Sequence, residues 1–111
     1  MPYIKSEHRK AFDPHVDKLA EAIVKESENS LTDFAGFINY VSTRIALKVV
    51  RLKFGKIRYW ILAILTGVFI NVVFELYRRL GAPYEDEQIK KNGDVDIIDE
   101  FTKDIEEDKS K

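Results

Sequence analysis

The feature that most restricts the fold is a run without a single charge, Tyr59 to Phe74, reading YWILAILTGVFINVVF. As a helix rising about 1.5 Å per residue it spans about 24 Å, short of the ~30 Å core of a bilayer. Lengthening the run meets Arg58 at one end and Glu75 at the other. Trp60 near one end and the basic flanks keep a short membrane anchor as an alternative, but the length argues against a span. The run is apolar nearly all round rather than along one stripe, so its helix must be enclosed by others or paired across an oligomer interface. Gly67 and Asn71, one turn apart, suit a close crossing of two backbones. The expected partner is therefore another copy of the chain, joined through this third helix.

The segments around the run are patterned at helical spacing. Val16, Leu19, Ala20, Ile23 and Val24 form one apolar stripe, with Asp13-Pro14 as its expected start and residues 1–12 as an irregular arm anchored by Tyr3, Ile4 and Phe12. Ser30-Leu31-Thr32-Asp33 reads as a variant capping box. It opens a second helix whose Phe34, Ile38, Val41, Ile45, Val49 and Leu52 recur every three or four residues, with Arg44, Lys48 and Arg51 on a separate stripe. Gly55 is its expected C-terminal cap. The third helix is predicted over Lys56 to Leu80, stopped by Gly81 and Pro83. Tyr84 to Asp94 is predicted to be irregular, with Asn92-Gly93 as a turn. Ile97, Ile98, Phe101 and Ile105 then recur among acids, as in a short amphipathic helix that is marginal unless it docks. The expected fold is all-α: an antiparallel bundle of three main helices, an irregular C-terminal wrap and a short acidic tail helix. Residues 1–95 form the helical domain and residues 96–111 an acidic extension.

Composition narrows the chemistry. The 111 residues suffice for one domain and contain no cysteine, which removes disulfides, thiolate catalysis and cysteine-based metal sites. The opening MPYIKSEHRK has no apolar h-region, so no secretory signal is read and a cytoplasmic location is expected. The net charge of −1 hides an asymmetry. Residues 1–83 carry 13 Lys and Arg against 8 Asp and Glu, a balance of +5, while residues 84–111 carry 5 against 11, a balance of −6.

No P-loop, GxGxxG or Gly-x-Ser-x-Gly is present. The two histidines, His8 and His15, share no metal-binding spacing, so no catalytic residue, metal site or cofactor is assigned. Glu75, Arg78 and Arg79 lie within one turn. They read either as a clamp for phosphate or carboxylate, with Glu75 orienting one arginine, or as a salt bridge at a helix end, which is preferred. Tyr84, Glu85 and Asp86 complete that candidate ligand-binding group; Glu85 or Asp86 is expected to reach back to Arg78 or Arg79 as a structural lock. Arg44, Lys48, Arg51 and Lys56 belong to a run of six cations uninterrupted by an acid. They offer a nucleic-acid surface that is not the favoured reading, against a solvated face or a dock for the acidic tail.

Residues 58–95, RYWILAILTGVFINVVFELYRRLGAPYEDEQIKKNGDV, closely resemble the closing segment of an uncharacterised family of small prokaryotic and phage proteins, a domain of unknown function. The resemblance rests on Tyr59, Gly67 and Val68, on Glu75, Tyr77, Arg78 and Arg79, on Ala82-Pro83-Tyr84-Glu85-Asp86, and on Asn92-Gly93-Asp94. Met1-Pro2-Tyr3-Ile4 and Asn39-Tyr40 also match, so it covers about residues 1–95. It implies a soluble protein and brings no activity with it. Phe37 and Ile70 stand where the family commonly has acids, so a site built on those acids would be lost here. Function is thus open. The leading expectation is a self-associating helical interaction or accessory module, with an unidentified protein partner as a further prospect. The alternatives are a phosphate-ligand binder or enzyme at Glu75, Arg78, Arg79, Glu85 and Asp86, a nucleic-acid binder through residues 44–58, and a membrane-anchored protein through residues 59–74.

Overall fold

A computed structural model describes residues 2–109; Met1 of the opening motif and Ser110 and Lys111 of the tail lie outside the described residues. The described chain is all-α: α1 (Ser6–Glu26), α2 (Asp33–Phe54), α3 (Tyr59–Leu76), a π-helical turn (Tyr77–Gly81), α4 (Ala82–Asn92) and α5 (Asp96–Lys109). It divides into two compact units, Met1–Asn71 and Val72–Lys111.

In the first unit, α1 begins seven residues earlier than expected and takes in most of the predicted irregular arm. Pro14 lies inside this helix rather than opening it. Proline holds φ near the helical value, so the ladder runs through it with the loss of one donor, at a cost of about 3 kcal/mol against alanine. Ser27 closes α1: its amide donates to the Ile23 carbonyl (3.1 Å) and its hydroxyl to the same oxygen (2.7 Å). The N-cap of α2 is Thr32, without a side-chain cap bond, so Ser30, the expected cap, stands two residues earlier. Its Oγ accepts from the amides of Thr32 (3.2 Å) and Asp33 (3.1 Å), satisfying two donors at the entry to α2. The reciprocal half of a capping box does not form, because the Ser30 amide donates instead to the Ser27 carbonyl (3.0 Å). Ser30→Ala is expected to cost about 1 kcal/mol, measured by chemical denaturation, whereas Ser30→Asp should recover most of it.

The end of α2 also matches expectation. Gly55 adopts φ +80°, a value L side chains rarely take, and its amide donates to the Arg51 carbonyl (3.1 Å). The Arg51 Nη1 returns a bond to the Gly55 carbonyl (2.7 Å). Across this joint the rings of Phe54 and Trp60 meet edge to face, centroids 5.4 Å apart. α1 packs against α2, leaving a shallow cleft lined by Leu19, Ile23, Phe37 and Val41.

The described residues do not close a three-helix core. Among the described residues the buried apolar side chains are Val50, 5% exposed, and Ile61, 4% exposed. α3, expected to be enclosed or paired, leaves most of its apolar side chains open within the single chain, including Leu62, Ile64, Val68, Phe69, Val72 and Phe74, with Leu65 half-buried.

In the second unit, Gly81 and Pro83 do not stop the helix, and the predicted irregular wrap over 84–94 is mostly α4. The physical reason is the π-helical turn. A proline in a regular helix lacks its own donor and drives its ring into the carbonyl four residues earlier. Here the turn just before Pro83 takes one extra residue, with the Ala82 amide donating to the carbonyl of Tyr77, five residues back. Gly81 is needed for a different reason from Gly55. A Cβ there would lie 2.7 Å from Cδ2 of Tyr77, whose ring folds over the glycine. α4 ends at Gly93, whose amide donates to the Ile89 carbonyl (2.8 Å), and the expected tail helix is present as α5.

Candidate functional site

Three places carry the features that sequence reading singled out. The first is the helix end at the π-helical turn. Glu75, on the last turn of α3, accepts from both Nε (3.2 Å) and Nη2 of Arg78, a bidentate pair three residues apart. The Glu75 side chain is 25% exposed and that of Arg78 64%, so water screens the pair and its contribution to stability is small. The ion pair expected between these two residues is present, and both readings of this helix end contain it. The expected lock is not formed: among the described residues no ion pair joins Arg78 or Arg79 to Glu85 or Asp86. The physical cause is the continued helix. α4 carries Tyr84, Glu85 and Asp86 onward along a rigid element, all three exposed, where a loose wrap would have let them fold back. Arg79→Ala is accordingly expected to change stability by no more than about 0.5 kcal/mol, checked by thermal melting; a larger fall would restore the lock.

The second place is a groove on the first unit, with a volume of about 610 Å³. It brings together all four cations proposed from sequence, Arg44, Lys48, Arg51 and Lys56, with Tyr40 and Thr43 beside them. Its floor is apolar, formed by Leu47, Val50, Ile57 and Leu62. Arg44, Lys48 and Arg51 are marked in the sequence by their spacing of four and three residues, whereas the floor beside them is not. Leu47 and Val50 stand three apart on α2 next to that stripe, the one signal that was available. Among the described residues no acidic side chain pairs with Arg44, Lys48 or Lys56. The groove thus joins an apolar surface to open positive charge, and so fits an amphipathic, anionic occupant.

The third place is the apolar surface of α3, uncharged from Tyr59 to Phe74. Elsewhere, His8 lies 4.0 Å from Glu7 within the same turn, and no set of three or more His, Cys, Asp or Glu that could hold a metal is found among the described residues.

Comparison with known proteins adds a family and nothing on activity. The family model described as Domain of unknown function (DUF6899) matches residues 1–95, and the chain belongs to that family. No curated protein and no solved structure matches it.

Proposed function

We propose that this family member is a self-associating helical module of the cytoplasm, acting through its assembled surface rather than through chemistry. The observation that carries the reading is the exposure of α3, on which Ile61 alone is buried within the chain. Leaving so much apolar surface in water is unfavourable by about 25 cal/mol per Å², and monomeric soluble proteins rarely tolerate contiguous apolar patches of this kind. Copies of the same chain can cover it by the closed symmetry common to soluble oligomers. The other helices support the same conclusion. Val16 and Val24 on α1, Ile45 and Val49 on α2, and Ile97 and Phe101 on α5 are also exposed. A bilayer would cover α3 alone, whereas stripes set among charges are covered by protein.

Light scattering after size exclusion in detergent-free buffer tests this. A discrete dimer or tetramer is expected. A monodisperse monomer at micromolar concentration would overturn the proposal. A second reading, the short membrane anchor, draws on one observation: the helix running from Tyr59 to Asn92 is long and apolar enough to cross a bilayer by length and composition. Protein that stays in solution only with detergent would favour it.

A further inference from the structure

We propose that the groove on α2 is a docking site for α5 of a second copy of this chain, so that the acidic tail is an interface element of the assembly. The proposal rests on the self-association argued above and names the two surfaces that meet. On one side are the apolar floor and the cations Arg44, Lys48 and Arg51 along its edge. On the other, α5 has a single apolar stripe, Ile97, Ile98, Phe101 and Ile105, all of it exposed within the chain. Glu100, Asp104 and Asp108 recur every four residues along one margin of that stripe, since a helix returns to nearly the same face after four residues.

The two charge rows are matched in length. Arg44 to Arg51 rises about 10.5 Å along α2 and Glu100 to Asp108 about 12 Å along α5. The overall charge agrees, with α5 carrying seven acids against two lysines, while among the described residues the cations facing the groove have no acidic partner. A helix of this length is marginal alone in water, and burying its apolar face in a groove is how such a helix is held. The apolar contact supplies the affinity. The charge rows set direction and reject other partners.

The chain has no cysteine, so single thiols can be placed without interference. Full-length Lys48→Cys and full-length Asp104→Cys chains, distinguishable by mass, are co-expressed and mildly oxidised. The mixed disulfide is expected at about tenfold the yield of a Lys10→Cys and Asp104→Cys control pair, because docking raises the local thiol concentration. A yield no higher than the control overturns the docking site. So does a chain carrying both Lys48→Cys and Asp104→Cys that closes only within itself. If wild-type protein is oligomeric and the mixed disulfide is absent, the docking site falls and self-association stands; a monomeric wild type removes both. Binding of a short DNA duplex through Arg44 and Lys48 at physiological salt, with no mixed disulfide, would assign the groove to nucleic acid instead.

Discussion

Ile64→Glu is expected to dissociate the assembly and to unfold much of what remains. Ile64 is 57% exposed within one chain, so in a monomer the substitution would place a carboxylate in water at almost no cost. Inside an interface the same carboxylate is buried without a partner, and an uncompensated buried charge costs about 3–5 kcal/mol. That is a large share of the roughly 5–15 kcal/mol by which small domains are stable, and it recurs in every subunit. Light scattering should show a lower mass or aggregated material, and far-UV circular dichroism a loss of helix. Ile64→Ala should cost about 2–4 kcal/mol, as for a core position, although the single chain leaves the side chain open. A protein that accepts both substitutions with its melting temperature unchanged would rule out an interface on that face of α3.

The second large effect is expected at Ile61, one helical turn before. At 4% exposure it is closed within the chain's own first unit. Ile61→Ala removes three carbons and leaves a cavity, for a loss of about 3 kcal/mol and a fall in melting temperature of about 10 °C at this chain length. The two isoleucines differ in how the loss responds to protein concentration. An assembled protein gains stability with concentration by mass action. If α3 forms the proposed interface, dilution should therefore erase the penalty at Ile64 and leave the penalty at Ile61 in place. Melting curves of both variants over a hundredfold range of concentration separate the two cases.

Elements fixed by local chemistry were the ones legible in the sequence. Gly55 could be read as the end of α2 because few other residues accept φ +80°. Ser30 marked the approach to its start to within two residues, because a hydroxyl there meets free amides, although the N-cap itself is Thr32. The acidic tail helix followed from the spacing of Ile97, Ile98, Phe101 and Ile105. Both prolines misled. In the sequence Pro14 and Pro83 read as boundaries, since proline usually marks them, but the helix passes each in a different way. At Pro14 it forgoes one hydrogen bond, and at Pro83 the π-helical turn inserts a residue beforehand. Neither outcome is encoded in the proline itself; at the second, the Tyr77 ring lies over the bare Cα of Gly81. Sites divide in the same way. The pairing of Glu75 with Arg78 is a matter of helical spacing and was legible. The lock from Glu85 or Asp86 needed a flexible exit, and α4 is not one. The apolar floor of the basic groove required Leu62 and Ile57 to come beside Leu47 and Val50, a tertiary fact that spacing within α2 could not supply.

The meeting of Phe54 and Trp60 at the joint of α2 and α3 has an optical consequence. Trp60 is the chain's one tryptophan, and its edge-to-face contact with Phe54 holds it where those two helices join. Its fluorescence reports on that joint, while circular dichroism averages over all the helices. If both signals follow one denaturation curve, the joint and the helices come apart together, as a two-state transition requires. A fluorescence change that precedes the loss of helix would identify the joint as the place where the structure first opens.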